Sequence, residues 1–493
     1  MTRFHSSFLL VALAIVGCTT ARDINLPVGD TSAFDSNETD DSTDTGETDD
    51  FSCIVDPNLF QNVEFTLSKV IPTVARLDWT SDGERTDYVR FGLPGSAWIT
   101  TLEETATDHQ AFLLGLKQST QYSYSIVSDT SDGVFCSTPQ IFTTGVLLGG
   151  TTLPDLVVSI NEAHAWDGYL LFSLRDGMND TLIIVDPDGD IVWAYVTNSN
   201  VVHRVRFSID GRAIVYNNLV LSGGDGPSIN RISLDGMETT EIPVAHMHTD
   251  FVEIANGTYA TLGYDIDKYD TDSGARYICG NSILEIASDG TPTEIWNTFQ
   301  SFQPNLNETY STGDCAEDVM AEDWTHSNSI SYDASDDAYY ITIRYLNKAC
   351  KIDRASKTLL WCVGGEDSEF ASIGETQILD NPHSVLPFNG GIYVFENNDE
   401  LFDGCAAGTI ISLDFTSWTA QETWTYGTGT CVDNPLFGNL DPLTNGNLLL
   451  ALGAAGQIDV TTLEGKTVWR LNTIIGYNFA FVNQYDRLYR SSL

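Results

Sequence analysis

Positive charge is what this sequence has least of: 23 Lys and Arg stand against 69 Asp and Glu, a formal net charge of −46 over 493 residues. Phosphate binding needs clustered Lys and Arg, so this composition excludes nucleic acid as a partner. A small anionic ligand is still open, but it needs a local cationic pocket inside an acidic protein. Long apolar runs are equally scarce. Beyond the N-terminus no segment is long and apolar enough to span a bilayer, although an apolar share of 42% is enough to build real cores. Close Cys-x-x-Cys pairs are missing too, which disfavours a structural zinc site. The length exceeds one ordinary domain and points to two or three folded units.

The one uninterrupted apolar stretch at the N-terminus, Phe8 to Val16, follows the short basic region Thr2-Arg3-Phe4-His5. It is too short for a transmembrane helix and reads as an export signal. It ends at Ile15-Val16-Gly17-Cys18, which resembles the lipobox of bacterial lipoproteins. That resemblance implies a signal peptide over residues 1–18, acylation of Cys18 and attachment to a membrane through the lipid. Thr19 in place of an Asp points, within the same resemblance, to the outer membrane of a Gram-negative bacterium. Residues 19–50 are rich in Asp, Glu, Thr and Ser. They cannot bury enough apolar surface to offset the entropy of ordering, and are expected to form a self-repelling tether.

The remaining cysteines form an even set: Cys53, Cys136, Cys279, Cys315, Cys350, Cys362, Cys405 and Cys431. Cys350 and Cys362 lie symmetrically about a hairpin turn at Arg354 to Thr358, which sets their side chains opposite one another on adjacent strands. Sequence neighbours 53–136, 279–315 and 405–431 are then the natural remaining pairs.

Residues 51–146 alternate polar and apolar with frequent turn residues, the pattern of an all-β sandwich. Gly115-Leu116-Lys117 before Thr120-Gln121-Tyr122, and Phe142-Thr143-Thr144-Gly145 at the end, resemble a fibronectin type III module. In such modules the Tyr hydrogen-bonds back across a corner between strands. No chemistry is expected there, and His109, alone in a polar stretch, is expected to be exposed.

Over residues 152–485 the chain repeats at roughly 50–60 residues, the spacing of propeller blades. Six hairpins with acidic or Gly turns recur, five of them ending in a Trp: Trp193, Trp296, Trp361, Trp424 and Trp469. The fold class is therefore all-β, a six-bladed β-propeller preceded by the sandwich. The tryptophans are expected to pack blade against blade rather than to form a ligand platform. The other hairpin of each repeat carries the polar residues. His203, His248, His326, His383 and, in the last repeat, Asn439 each stand about seven residues before a turn. The first strand of a blade lines the central channel, so these positions converge. Blade packing has no need of imidazole, and four histidines at one repeat position point to function.

Two chemistries use several imidazoles. One is a transition-metal site, with Asp250, Asp323 or Asp380 as candidate carboxylate ligands. The other is group transfer, in which one His attacks and the others stabilise charge. Group transfer to an anionic centre needs a cation that keeps its proton. Arg344 suits this: the alternation in Tyr340-Ile341-Thr342-Ile343-Arg344 places it on a polar strand face.

The segment Asp323-Trp324-Thr325-His326-Ser327-Asn328-Ser329, then Tyr332-Asp333, Ile343-Arg344, Lys351-Ile352-Asp353 and Trp361 through Gly364-Gly365, resembles the core of the bacterial arylsulfate sulfotransferases. Asn381-Pro382-His383-Ser384 resembles the segment carrying that family's nucleophilic His, and His248-Thr249-Asp250-Phe251 another of its active-site blades. The resemblance implies a ping-pong reaction without metal, cofactor or nucleotide sulfate donor. His383 takes the sulfuryl group from an aryl sulfate as a sulfohistidine, and a phenolic acceptor then receives it. His248, His326 and Arg344 bind the sulfuryl oxygens. His203, Asn439 and His246 are assigned to substrate binding, with the spacing to Asn256-Gly257 favouring His248 over His246 as the residue facing the channel. Two readings from other classes stand beside this one: a surface-tethered propeller that only binds a ligand or partner, and a His-rich metal site.

Overall fold

The structure is a computed structural model that describes residues 51–489, apart from 95–97, 151–152, 164, 176–178, 199–200, 220–225, 313–314, 316–319, 375–376, 398–404, 427–431 and 474–477. The expected signal peptide, Cys18, the tether and Cys431 lie outside the described residues.

The N-terminal strands form one all-β unit built on an 18-residue strand, Ala75–Gly92. Its first half pairs with Gln61–Leu67 and Glu104–Leu113, and its second half mainly with Gln121–Thr130. Alternate residues from both groups of strands meet in one core that includes Leu77, Trp79, Phe91, Leu113, Tyr122 and Ile126. Tyr122 does close a corner: the Lys117 N–H donates to its hydroxyl at 2.8 Å.

His109 corrects an expectation. It is buried, stacked on Trp79 with ring centroids 5.1 Å apart, and its Nε2 lies 3.4 Å from the Asp87 carboxylate. The alternation along Glu104–Leu113 turns His109, Ala111 and Leu113 to the same inner face, so the strand period decides its burial rather than its polar neighbours.

Six sheets of four to six strands follow. Blade I combines Tyr169–Arg175, Asp180–Val185 and Ile191–Val196 with an inner strand, Val482–Tyr485, from the far end of the chain. Blade VI, Asn439–Pro442 to Thr467–Asn472, receives Val157–Asn161 on its outer edge. The ring is thus latched at an inner and an outer strand, which pairs both ends of the propeller segment into blades. Blades II to V begin with inner strands Val205–Phe207, Met247–Ala255, Ile330–Asp333 and Pro382–Phe388.

The blade tryptophans are structural. Trp193, Trp296 and Trp469 are almost wholly buried. Indole N–H groups reach the turn of the next blade: Trp193 donates to Leu234 O, Trp424 to Leu463 O and Trp469 to Pro187 O, each within 2.8–3.0 Å. Disulfides join Cys53–Cys136, Cys279–Cys315 and Cys350–Cys362, and Cys405 is also disulfide-bonded.

The N-terminal unit and the propeller share one apolar core, in which Ile71, Val74, Leu114 and Leu147 meet Leu170, Trp193 and Leu234. The Lys117 ammonium sits among Asp186, Asp188 and Asp190 at 3.2, 2.9 and 2.7 Å. Tyr489, near the end of the described chain, accepts from Leu114 N at 2.8 Å and donates to Phe112 O at 3.0 Å. Tyr489→Phe leaves these two backbone groups without their partner, and is expected to lower unfolding free energy by about 1–3 kcal/mol. Denaturant titration of the two proteins measures it; an unchanged midpoint would show that this seam carries no stability.

Candidate functional site

The structure brings four of the five predicted inner-strand positions to one place. His248 and His383 are the second residues of their inner strands, while His203 and His326 sit just ahead of theirs. The His248 and His326 rings meet edge to face at 5.4 Å. Phe437 bridges the other two, 5.4 Å from His203 and 6.4 Å from His383. Charge coupling runs between His203 and His383, His203 and His326, His248 and both His326 and His203, and His383 and both His326 and Arg344, so all five groups share one field.

Burial dominates that field. It pushes His383 down to about 3, against the hydrogen bond His383 donates to Gly438 O and with the help of Arg344, His326 and Arg204. Burial also holds His203 well below the usual imidazole range, aided by Arg175 and the neighbouring histidines. His248 is lowered in the same way by burial, His326 and His203, while the Ser327 carbonyl opposes the shift. These three rings are therefore neutral at neutral pH, and their protons can be located.

His383 Nδ1 lies 2.9 Å from Gly438 O. A carbonyl only accepts, so Nδ1 carries the hydrogen and Nε2 keeps a free lone pair. His248 is the reverse case. The Asn281 oxygen accepts from Ser327 N and Thr325 Oγ1, both at 2.8 Å, which fixes its NH2 group toward His248 Nδ1 at 3.2 Å. Nδ1 of His248 is then the acceptor and its proton is on Nε2. His326 takes its orientation from Asp323, whose carboxylate is 2.5 Å from Nδ1. The channel thus holds one imidazole with a bare Nε2 and another with an Nε2–H donor.

Arg344 departs from its expected place. The strand ends at Ile343, and Arg344 opens a single 3-10 turn, Arg344–Leu346, with its N–H bonded to His326 O. Residues 338–343 are buried on both faces, as the second strand of a blade must be, so polar–apolar alternation is no guide there. Its Nε is buried without a hydrogen-bond partner among the described residues. An orphaned, permanently charged donor beside His383 is suited to an oxyanion.

Asn439 does not join the imidazoles. Its amide is spent on Val482 N and O, at 2.9 and 2.8 Å, and on Asp441, tying blade VI to the closing strand. His246 stands exposed on the turn ahead of Met247–Ala255, where positive φ and an outward ring separate it from His248. Of the carboxylates a metal would draw on, Asp250 is paired with Arg204, Asp323 with the site's own His326, and Asp380 accepts from the Asn381 amide. Among the described residues, the group of three acidic or imidazole ligands that converges within 4.8 Å is Asp186, Asp188 and Asp190, into which Lys117 already reaches.

Several site residues escaped the sequence reading: Arg175, 5.3 Å from the Phe437 ring centre; Phe481, 5.0 Å from His383; and Asn281. Asparagines recur near the end of the second strand in two other blades, but Asn281 lies on the third strand of blade III, Gly274–Ile286, so no repeat position marks it. Asn217 closes the second strand of blade II and holds His203 N and Arg204 N, and Asn397 follows the second strand of blade V and holds Phe437 O.

Acid should destabilise this arrangement. An unfolded chain takes protons on His203, His248 and His383 near pH 6.5, whereas the folded chain refuses them until far lower pH. Their stabilisation is complete above pH 6.5 and is lost as pH falls from there toward 3. Glu396, raised by burial to about 8, acts in the opposite sense, losing stability as pH rises. Three imidazoles outweigh it, and the thermal midpoint is expected to fall steadily below pH 6.5; a midpoint flat from pH 7 to 5 would contradict the neutral assignments.

Solved structures resemble the chain only at low identity and low TM-score. A functionally unknown protein from Desulfotomaculum acetoxidans has 12% identity and a TM-score of 0.39, with 73% of this chain and 95% of that chain covered. A putative 6-phosphogluconolactonase from Bacteroides fragilis has 10% identity and a TM-score of 0.38, covering 65% and 98%. A periplasmic gluconolactonase from Pseudomonas aeruginosa has 11% identity and a TM-score of 0.36, covering 64% and 98%. No curated protein matches the chain. The family model for Arylsulfotransferase (ASST) matches residues 156–475, more than half of the chain and every one of the channel histidines. The chain belongs to the arylsulfotransferase (ASST) family and is an aryl sulfotransferase.

Proposed function

We propose that the enzyme moves a sulfuryl group from an aryl sulfate to a phenol through a sulfohistidine on His383, with no nucleotide sulfate donor. The observation that carries this reading is the Gly438 carbonyl on His383 Nδ1, which leaves Nε2 unprotonated and free to attack. In the first half-reaction Nε2 forms a bond to sulfur as the bond from sulfur to the aryl oxygen breaks. The phenolate leaves and takes a proton from His326, the ring that Asp323 orients. Arg344 and the Nε2–H of His248 bind the sulfuryl oxygens while charge redistributes over them. In the second half an acceptor phenol gives its proton back to His326, its oxygen attacks sulfur, and the bond to Nε2 breaks. A phenol is a competent leaving group, so this chemistry needs no metal.

The lipobox-like Cys18, the acidic tether and the fibronectin-like module support a propeller held at a membrane surface outside the cytoplasm, in keeping with outer-membrane attachment. Incubation of the purified protein with an aryl sulfate, followed by peptide mass analysis, tests the mechanism. One sulfuryl adduct on the peptide containing His383, discharged by a phenol, is the expected result. Turnover without any adduct would replace it with direct transfer between bound substrates.

A further inference from the structure

Arg344 and His383 belong to neighbouring blades, so neither sheet alone sets the distance between them. Arg344 opens the turn after the second strand of blade IV, and His383 is the second residue of the inner strand of blade V. Two hydrogen bonds cross the seam between these blades, at His383 and just ahead of it. Thr342 Oγ1 donates to His383 O at 3.3 Å, and Asn347 Oδ1 accepts from Asn381 N at 2.9 Å. Asn347 is also the residue that ends the Arg344 turn. Its own N–H returns to Arg344 O at 3.0 Å, and its φ of 52° lies in the left-handed region, which Asn tolerates better than most side chains. One residue thus closes the turn that carries the cation and grips the chain entering the strand that carries the imidazole.

That grip falls on a strained residue. Asn381 has a φ of 48°, directly ahead of Pro382 and His383. A non-glycine residue in this region is costly and persists only where its surroundings over-determine it, and such residues cluster where a side chain must be held in place. Here the surroundings do so from three sides. Asn347 takes the Asn381 N–H, Asn397 N donates to its carbonyl at 3.2 Å, and its side-chain amide donates to Asp380 at 3.2 Å. Asn347 is backed in turn by Gly364, whose φ is 85°: a Cβ there would collide with Asn347 O, so glycine lets the chain leaving blade IV close on the turn.

We propose that Asn347 is a positioning residue for sulfuryl transfer, a role that rests on His383 as the nucleophile: through Asn381 it sets the distance from His383 to Arg344, so that both meet the same sulfuryl group. Steady-state transfer from an aryl sulfate to a phenol by Asn347→Gly and Asn347→Asp tests it. Gly accepts the left-handed backbone but removes the acceptor, whereas Asp keeps an oxygen for Asn381 N. Misplacing reacting groups by about 1 Å costs on the order of 10²-fold, so Asn347→Gly is expected to lose roughly 10- to 100-fold in kcat. Its KM for the aryl sulfate should stay within about threefold of wild type, and Asn347→Asp should recover most of the rate. In an Arg344→Gln background the same Asn347→Gly change should cost less than about threefold, because the distance it sets no longer has a cation at one end. A kcat for Asn347→Gly within about threefold of wild type would overturn the proposal, as would equal losses in the Gly and Asp variants or an equal fold-loss in both backgrounds. Mass analysis of the wild-type protein after incubation with the aryl sulfate reports the nucleophile separately. An adduct on His383 with unchanged Asn347→Gly kinetics removes the role of Asn347 alone, whereas no adduct removes the nucleophile and this role with it.

Discussion

His383→Asn is expected to abolish sulfuryl transfer, with a loss of roughly 10⁴-fold or more in kcat and no covalent adduct after incubation with an aryl sulfate. The argument is about one atom. Gly438 O fixes the proton on Nδ1, and the neutral ring then offers Nε2 as the nucleophile. Asn presents an amide nitrogen whose lone pair is delocalised into the carbonyl, so nothing replaces that nucleophile. The fold should survive, because the inner strand Pro382–Phe388 pairs through its backbone and the ring itself faces the channel. A circular dichroism spectrum and thermal midpoint close to wild type, together with lost turnover, would complete the case. Transfer retained within tenfold would move the nucleophile elsewhere, and His326 would be the next to test.

Arg344→Gln should separate activity from stability. Removing one preorganised donor from a site where charge develops costs on the order of 10²–10³ in rate. Here the lost group is also the fixed cation whose charge acts most strongly on the proposed nucleophile, so the upper part of that range is expected. Most buried arginines would take stability with them. Arg344 Nε has no hydrogen bond to lose among the described residues, and the turn it opens is held by its backbone, through His326 O and Asn347 N. The thermal midpoint is therefore expected to stay level or rise while kcat falls. A Lys at this position keeps the charge but not the planar fork, and should recover part of the rate. A midpoint that drops in parallel with activity would make Arg344 a structural residue.

Much of this architecture was legible in the chain. Turn residues and a late Trp recur in each outer hairpin, and that rhythm yields six blades because every blade must solve the same packing problem against its neighbour. The histidines were legible for the opposite reason. An imidazole at one repeat position in four blades satisfies no packing need, so the repeat register collects it into the channel. Cys350 and Cys362 could be paired because a hairpin turn places them opposite one another, and the structure bonds them.

Other residues were misread where the local pattern is not what decides. His109 has polar neighbours, but the strand period turns it inward onto Trp79. Asn439 occupies the histidine register, yet the closing strand Val482–Tyr485 lies beside it and takes both ends of its amide. That strand comes from the far end of the chain, and no spacing within a repeat announces it. Arg344 is near the channel by virtue of a turn after the strand, not by alternation along it.

By itself, then, the sequence determined the all-β class, the blade count and which four histidines meet, because each follows from a period that the chain repeats. The tertiary structure alone decided what those histidines can do. Proton positions on His383 and His248 come from Gly438 and Asn281, groups distant along the chain, and the absence of a partner for Arg344 Nε among the described residues is a property of its surroundings. Protonation and hydrogen-bond direction depend on what lies within about 3 Å in space, and distance along the chain does not report that.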